Sequence, residues 1–206
     1  MSKTPKPGRH SPPFFFAPYA ASARRYLSRA QREIARLPER EINKLADAIE
    51  EQYRRDKFVF IIGNGGSATT AQHFAEDLGK SSVGDFEKQK RLKVISLADN
   101  IGYLTAWAND THYDRVFVEQ LKNLAGRGDL LIAISGSGNS PNILRAVEWA
   151  NTNAVRTFGL TGYDGGKLKT LAGQCIHVKL ADMGMVESLH LLLFHYVLAR
   201  FHKKIR

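Results

Sequence analysis

Apolar and polar positions follow two different periods along this chain, and the switches between them mark its elements. Short runs rich in β-branched and aromatic residues at 58–62, 92–97, 129–134, 155–160 and 174–179 have the pattern of strands buried on both faces of a parallel sheet. Between them, apolar residues recur at helical spacing over 68–79, near 101–108, over 113–124, over 141–152, in a short stretch after the Gly-rich turn 162–166, and over 185–202. This alternation predicts an α/β fold with a parallel sheet of about five strands, covered on both faces. Two amphipathic helices are expected ahead of the sheet, from Ala20 to Leu37 and, past Pro38, from Glu39 to Arg55. Their stripes (Tyr26, Ala30, Ile34, Leu37, then Ile42, Leu45, Ala46, Ile49) need partners, and a second copy of the chain is a reasonable source. Residues 1–18 hold five prolines among Gly8 and basic residues, too little apolar surface to order themselves. The chain therefore reads as a basic Pro-rich tail, 1–18, and a single folded unit, 19–206.

Two strand ends carry candidate chemistry. The run 58–62 breaks into Gly63-Asn64-Gly65-Gly66-Ser67, and the run 129–134 into Ser135-Gly136-Ser137-Gly138-Asn139-Ser140 before Pro141. Glycine lets backbone approach a ligand closely. Unpaired N–H groups at a helix start attract anions, and the carboxyl edge of an open α/β sheet is where ligands bind. Neither segment contains Gly-Lys-Ser/Thr or a dinucleotide fingerprint, so a small phosphorylated metabolite fits better than a nucleotide.

Further groups lie on helices. His73 and Asp77, four positions apart, project from one face. Glu187 and His195, eight apart, fall on neighbouring faces about 80° from each other. Two imidazoles and two carboxylates are a donor set for one divalent metal, with His190 and Glu76 as competitors for these roles. Leucines and Phe194 flank His195, which suits a core histidine equally well.

Charge and cysteine content narrow the class. The net charge is +10, but residues 1–36 hold eight Lys or Arg against one Glu, and 197–206 hold four against none, which leaves −1 for the body. A specific nucleic-acid groove needs a basic face with stacking aromatics on the body itself, so nucleic acid is not an expected partner. The single cysteine, Cys175, excludes an internal disulfide and a Cys-based zinc cluster. The sequence shows neither an apolar run of membrane-spanning length nor a secretory leader pattern; the expected location is the cytoplasm.

Three segments in order, Gly63 to Ser67 with Ala71-Gln72-His73-Phe74-Ala75-Glu76-Asp77-Leu78, then Ile134 to Ser140, then Leu160-Thr161-Gly162-Tyr163-Asp164-Gly165-Gly166, resemble the SIS (sugar isomerase) domain and, within it, the phosphoheptose isomerases. The resemblance runs from roughly Ala20 to His202. It implies a flavodoxin-like three-layer fold, a homotetramer with active sites between subunits, and conversion of sedoheptulose 7-phosphate to glycero-manno-heptose 7-phosphate. By matching position it implicates Asn64, Gly65, Gly66, Ser67, Ser135, Gly136, Ser137 and Ser140 in holding the substrate, with Asp99 or Asn100 also lining the site. The family's zinc ligands fall on His73, Asp77, Glu187 and His195, and proton transfer on Asp77 and His195, with Glu187 as the alternative base. Two positions depart from the pattern: Asp77 is one methylene shorter than the family's Glu, and Glu187 puts a charge where the family has Gln. Gly184 and Met185 replace its Asp-Arg pair. Some relatives of this kind act instead as non-catalytic scaffolds for a replication initiator or as phosphosugar sensors, which is the competing expectation.

Overall fold

The computed structural model describes residues 22–205 except Ser82, so the tail expected at 1–18 lies outside the described residues. The elements run α1 (Ala23–Ile34), α2 (Glu39–Arg55), β1 (Phe58–Ile62), α3 (Gly66–Glu76), β2 (Lys93–Ser96), α4 (Ile101–Asp110), α5 (Val118–Leu124), β3 (Leu130–Ser135), α6 (Pro141–Thr152), β4 (Arg156–Thr161), α7 (Leu168–Leu171), β5 (Gln174–His177) and α8 (Met183–Ile205). All five strands are parallel, in the order β2-β1-β3-β4-β5. That is the flavodoxin-like doubly wound order.

The unbroken apolar runs are explained by two cores on opposite faces of the sheet. Val59, Ile61, Leu130, Ile132, Ile134, Phe158, Leu160 and Ile176 pack with residues of α2, α3 and α8. Their neighbours Phe60, Ile62, Leu131 and Ala133 pack with residues of α5, α6 and α7. Past their first residues, β1, β3 and β4 are therefore buried on both faces, whereas the edge strands β2 and β5 are partly exposed.

The two leading helices differ in kind. In α2, Ile42, Leu45, Ala46 and Ile49 are buried, and the helix carries Glu39 and Glu41 in its first turn and Arg54 and Arg55 in its last, matching its dipole. None of the residues of α1 is buried. Its Arg29 reaches Asp182, just ahead of α8, in a 2.6 Å ion pair between largely buried side chains.

Boundaries depart from the periodicity in two informative places. The helix expected over 68–79 starts at Gly66 and passes at Asp77 into a π-helical turn, Asp77–Ser81. The helix expected over 113–124 is a 3-10 turn, Tyr113–Arg115, followed by α5. Asp114 pairs with Arg145 of α6 at 2.7 Å and Tyr113 reaches Asn64, contacts that hold the first turn apart from the helix.

Candidate active site

Topology opens a crevice before any side chain is considered. β1 and β3 are neighbours, paired as Ile62 with Ala133, yet the chain leaves β1 toward β2 and β3 toward β4. The loops after them part in opposite directions, which is the switch point where doubly wound sheets bind ligands. Those two loops are the glycine turn 63–66 and the serine bend 135–140.

The serine bend is held by its own hydroxyls. Ser135 is buried; its Oγ accepts from Gly138 N at 3.2 Å and lies 3.4 Å from Ser140 Oγ. Ser137 Oγ accepts from Asn139 N at 3.3 Å. The third glycine segment braces this bend from behind. Gly162 N donates to Gly136 O at 2.8 Å, Leu168 N to Gly138 O at 2.9 Å, and Lys167 N to Asn139 Oδ1 at 3.1 Å. Gly138 sits at φ +65°, and a Cβ there would strike the Gly165 carbonyl, so only glycine fits both the conformation and the contact.

The histidine cluster is assembled by helix packing. Phe74 of α3 and Phe194 of α8 stack with ring centroids 3.9 Å apart, and the residues beside them in sequence, His73 and His195, are thereby brought to 5.3 Å between centroids. Asp77 Oδ2 lies 3.4 Å from His73 Nε2 and 3.8 Å from His195 Nε2. One donor atom from each of His73, Asp77 and His195 falls within 4.8 Å of the others. Two imidazole nitrogens and a carboxylate oxygen are the donor chemistry of a zinc-type site with an open position. The imidazoles are half exposed, at 46% and 50%, whereas the Asp77 side chain is 16% exposed.

Glu187 is not a member of that group. Eight residues of helical rise, about 12 Å, separate it from His195, and its carboxylate instead lies against Gly66 at the start of α3, in space a Cβ on that residue would occupy. Burial raises its pKa. The structure therefore divides the four expected ligands into a cluster of three and a separate carboxylate at the glycine turn.

Other expected residues find different surroundings. Asn100 Oδ1 accepts from Tyr103 N at 3.0 Å and caps α4, which explains an Asn at that position without a ligand. Asp99 lines an open cleft of about 470 Å³ with Gln72, His73, Ala75, Glu76, Val94 and Ile95. His190 is fully buried beside the Thr161 backbone, and desolvation pushes its pKa down to about 4; it stands outside the histidine cluster. Sequence reasoning passed over Tyr113 and Asn142, whose side chains both reach Asn64. A lone Asn in the first turn of α6 gave no hint of this.

Comparison with known proteins agrees with this fold. Residues 18–162 match the SIS domain. A phosphoheptose isomerase from Helicobacter pylori (strain P12) is 36% identical over 170 residues, 82% of this chain and 84% of that protein. One from Nitratiruptor is 40% identical over 146 residues, 70% and 76% of the two chains. Among solved structures, a phosphoheptose isomerase from Neisseria gonorrhoeae superposes with a TM-score of 0.77 at 30% identity, covering 84% of this chain and 91% of that one. Another from Francisella tularensis gives 0.78 at 27%, covering 86% and 95%. By sequence and by architecture alike, the chain belongs to the SIS domain family, among its phosphoheptose isomerases.

Proposed function

We infer that the chain is an aldose-ketose isomerase that converts sedoheptulose 7-phosphate to D-glycero-D-manno-heptose 7-phosphate. The observation that carries this reading is the pairing of a phosphate-type crevice at the β1/β3 switch point with a His-Asp-His cluster further along α3. His73 lies seven residues beyond Gly66, about 10 Å along the helix axis, a separation on the scale of an extended seven-carbon sugar phosphate. The backbone N–H groups of the two bends, with the Ser67, Ser137 and Ser140 hydroxyls, hold the phosphate. The reaction removes a proton from C1 of the ketose as O2 takes one up to give the enediol, then returns a proton to C2 while the O1 proton leaves to form the aldehyde. The carbon-bound proton is taken up and returned at the cluster, by Asp77 and His195, whose Oδ2 and Nε2 lie 3.8 Å apart.

His73, Asp77 and His195 are the residues that would hold a divalent ion, zinc by donor type. Such an ion supplies polarisation of the carbonyl and stabilisation of the oxyanion. The chain works as a homotetramer in the cytoplasm, with crevices completed at subunit contacts. The exposed Tyr26, Leu27 and Ile34 of α1 and Leu192 and Tyr196 of α8 support the oligomer.

The test is incubation with sedoheptulose 7-phosphate in D₂O followed by NMR. Expected is a new heptose phosphate carrying deuterium at C2; an unchanged spectrum would overturn the reading. Glu187→Gln is expected to leave bound metal unchanged, and loss of metal in that variant would return Glu187 to the ligand set.

A further inference from the structure

Asn64 stands in the glycine turn that was expected to grip substrate, yet its side chain is committed elsewhere. Asn64 Nδ2 donates to Asn142 Oδ1 at 2.9 Å, and Asn142 Nδ2 donates back to Asn64 Oδ1 at 2.9 Å. Tyr113 OH donates to the same Asn64 Oδ1 at 3.0 Å. A carbonyl oxygen has two lone pairs, so Asn64 Oδ1 is saturated and has none left for a sugar hydroxyl.

The partners matter because of where they sit. Asn142 is the second residue of α6, directly after the serine bend, and only 1% exposed. Its oxygen also accepts from Ile143 N at 3.0 Å, which fixes the amide orientation. A reciprocal pair of amide hydrogen bonds thus ties the loop after β1 to the helix that continues the loop after β3. These are the two loops that the doubly wound topology drives apart. Tyr113, 57% exposed and on the 3-10 turn, closes the pair from outside.

We propose that Asn64 and Asn142 form a clasp that holds the glycine turn and the serine bend as one phosphate cradle, with Tyr113 as its outer latch. All three are positioning residues: they set the spacing of the backbone donors and hydroxyls that meet the phosphate. The proposal rests on the reading that these two bends hold the phosphate of a sugar phosphate.

Inorganic phosphate is the probe that separates the clasp from the choice of sugar. Titration calorimetry with inorganic phosphate and steady-state kinetics with sedoheptulose 7-phosphate are run on the full chain and on Asn142→Ala, Asn64→Ala, the double variant and Tyr113→Phe. Expected for each alanine variant is a rise of about tenfold in both the phosphate Kd and KM, the scale of one or two lost hydrogen bonds, with kcat held within about threefold. The double variant is expected to be no weaker than either single one, because both remove the same pair. Tyr113→Phe, an exposed change that leaves packing intact, is expected to raise Kd about threefold. Unchanged phosphate affinity in folded Asn142→Ala and Tyr113→Phe overturns the clasp. Additive losses in the double variant also overturn it, since Asn64 would then touch ligand by itself. If the parent chain fails to bind phosphate, the cradle and the clasp fall together. If phosphate affinities shift as expected but the heptose is not turned over, the clasp stands and the substrate assignment falls.

Discussion

The cradle at the switch point and the histidine cluster on α3 and α8 are built on opposite principles. The cradle is backbone and short side chains, braced by three glycine segments and hydrogen-bonded within itself. Its geometry follows from strand order and the space only glycine leaves. The cluster consists of two half-exposed imidazoles and a mostly buried carboxylate, whose meeting depends on one stacked aromatic pair. One region is fixed by the fold before any ligand arrives; the other is held by packing and stands open to solvent. Anion binding and proton chemistry should therefore be separable by mutation, and the two regions should fail under different stresses.

The largest expected separation comes from His195→Gln. Turnover should fall by about three orders of magnitude, while calorimetry with inorganic phosphate should show less than a twofold change. Parallel loss of both quantities would break the comparison at once.

Acid should attack the cradle side. His190 is fully buried beside the Thr161 backbone, at the end of β4 from which the bracing turn 162–166 departs, and its folded pKa is about 4 against about 6.5 in an unfolded chain. The unfolded state thus binds a proton that the folded state refuses between these values. The stabilisation is complete above pH 6.5 and lost as pH falls toward 4, by about 3 kcal/mol. Urea unfolding at pH 7.5 and pH 4.5 measures it, and His190→Leu should flatten the dependence; an equally steep curve in that variant would assign the loss to other groups.

Gly138→Ala is expected to cost about 2 kcal/mol, from its positive φ and the collision with Gly165. It should weaken phosphate binding while leaving metal content at His73, Asp77 and His195 intact. At the small end, Leu27→Ser on α1 should change thermal stability by less than about 0.5 kcal/mol at low protein concentration, because that side chain is exposed. Its effect should appear in sedimentation, as a shift toward smaller assemblies.

How far the sequence revealed each region follows from the same contrast. The strands were legible because burial on both faces leaves unbroken apolar runs such as Phe58 to Ile62, and the bends because glycine and serine at strand ends serve few other purposes. The pairing of His73 with Asp77 followed from helical spacing within one element. The placement of Glu187 against Gly66 did not, because spacing along α8 says nothing about which turn of α3 lies opposite. That register is set by Phe74 on Phe194, a contact between residues far apart in the chain. The clasp was hidden for a similar reason: Asn142 has no distinctive neighbours in sequence, and only the approach of β1 to β3 gives its amide a partner. The stripe of α1 was visible as a pattern, but periodicity did not say that Ala30 and Leu37 pack within this chain while Tyr26 and Ile34 stay exposed.

The Arg29 to Asp182 ion pair gives that half-covered helix a mechanical reach. Asp182 also accepts from Met185 N at 3.2 Å through its side chain and from Val186 N at 2.9 Å through its carbonyl. One residue thus both receives the strap from α1 and shapes the opening turn from which Glu187 projects. Any force that draws α1 toward a neighbour is delivered, through that guanidinium and the packing of Ala30, to the opening turns of α8.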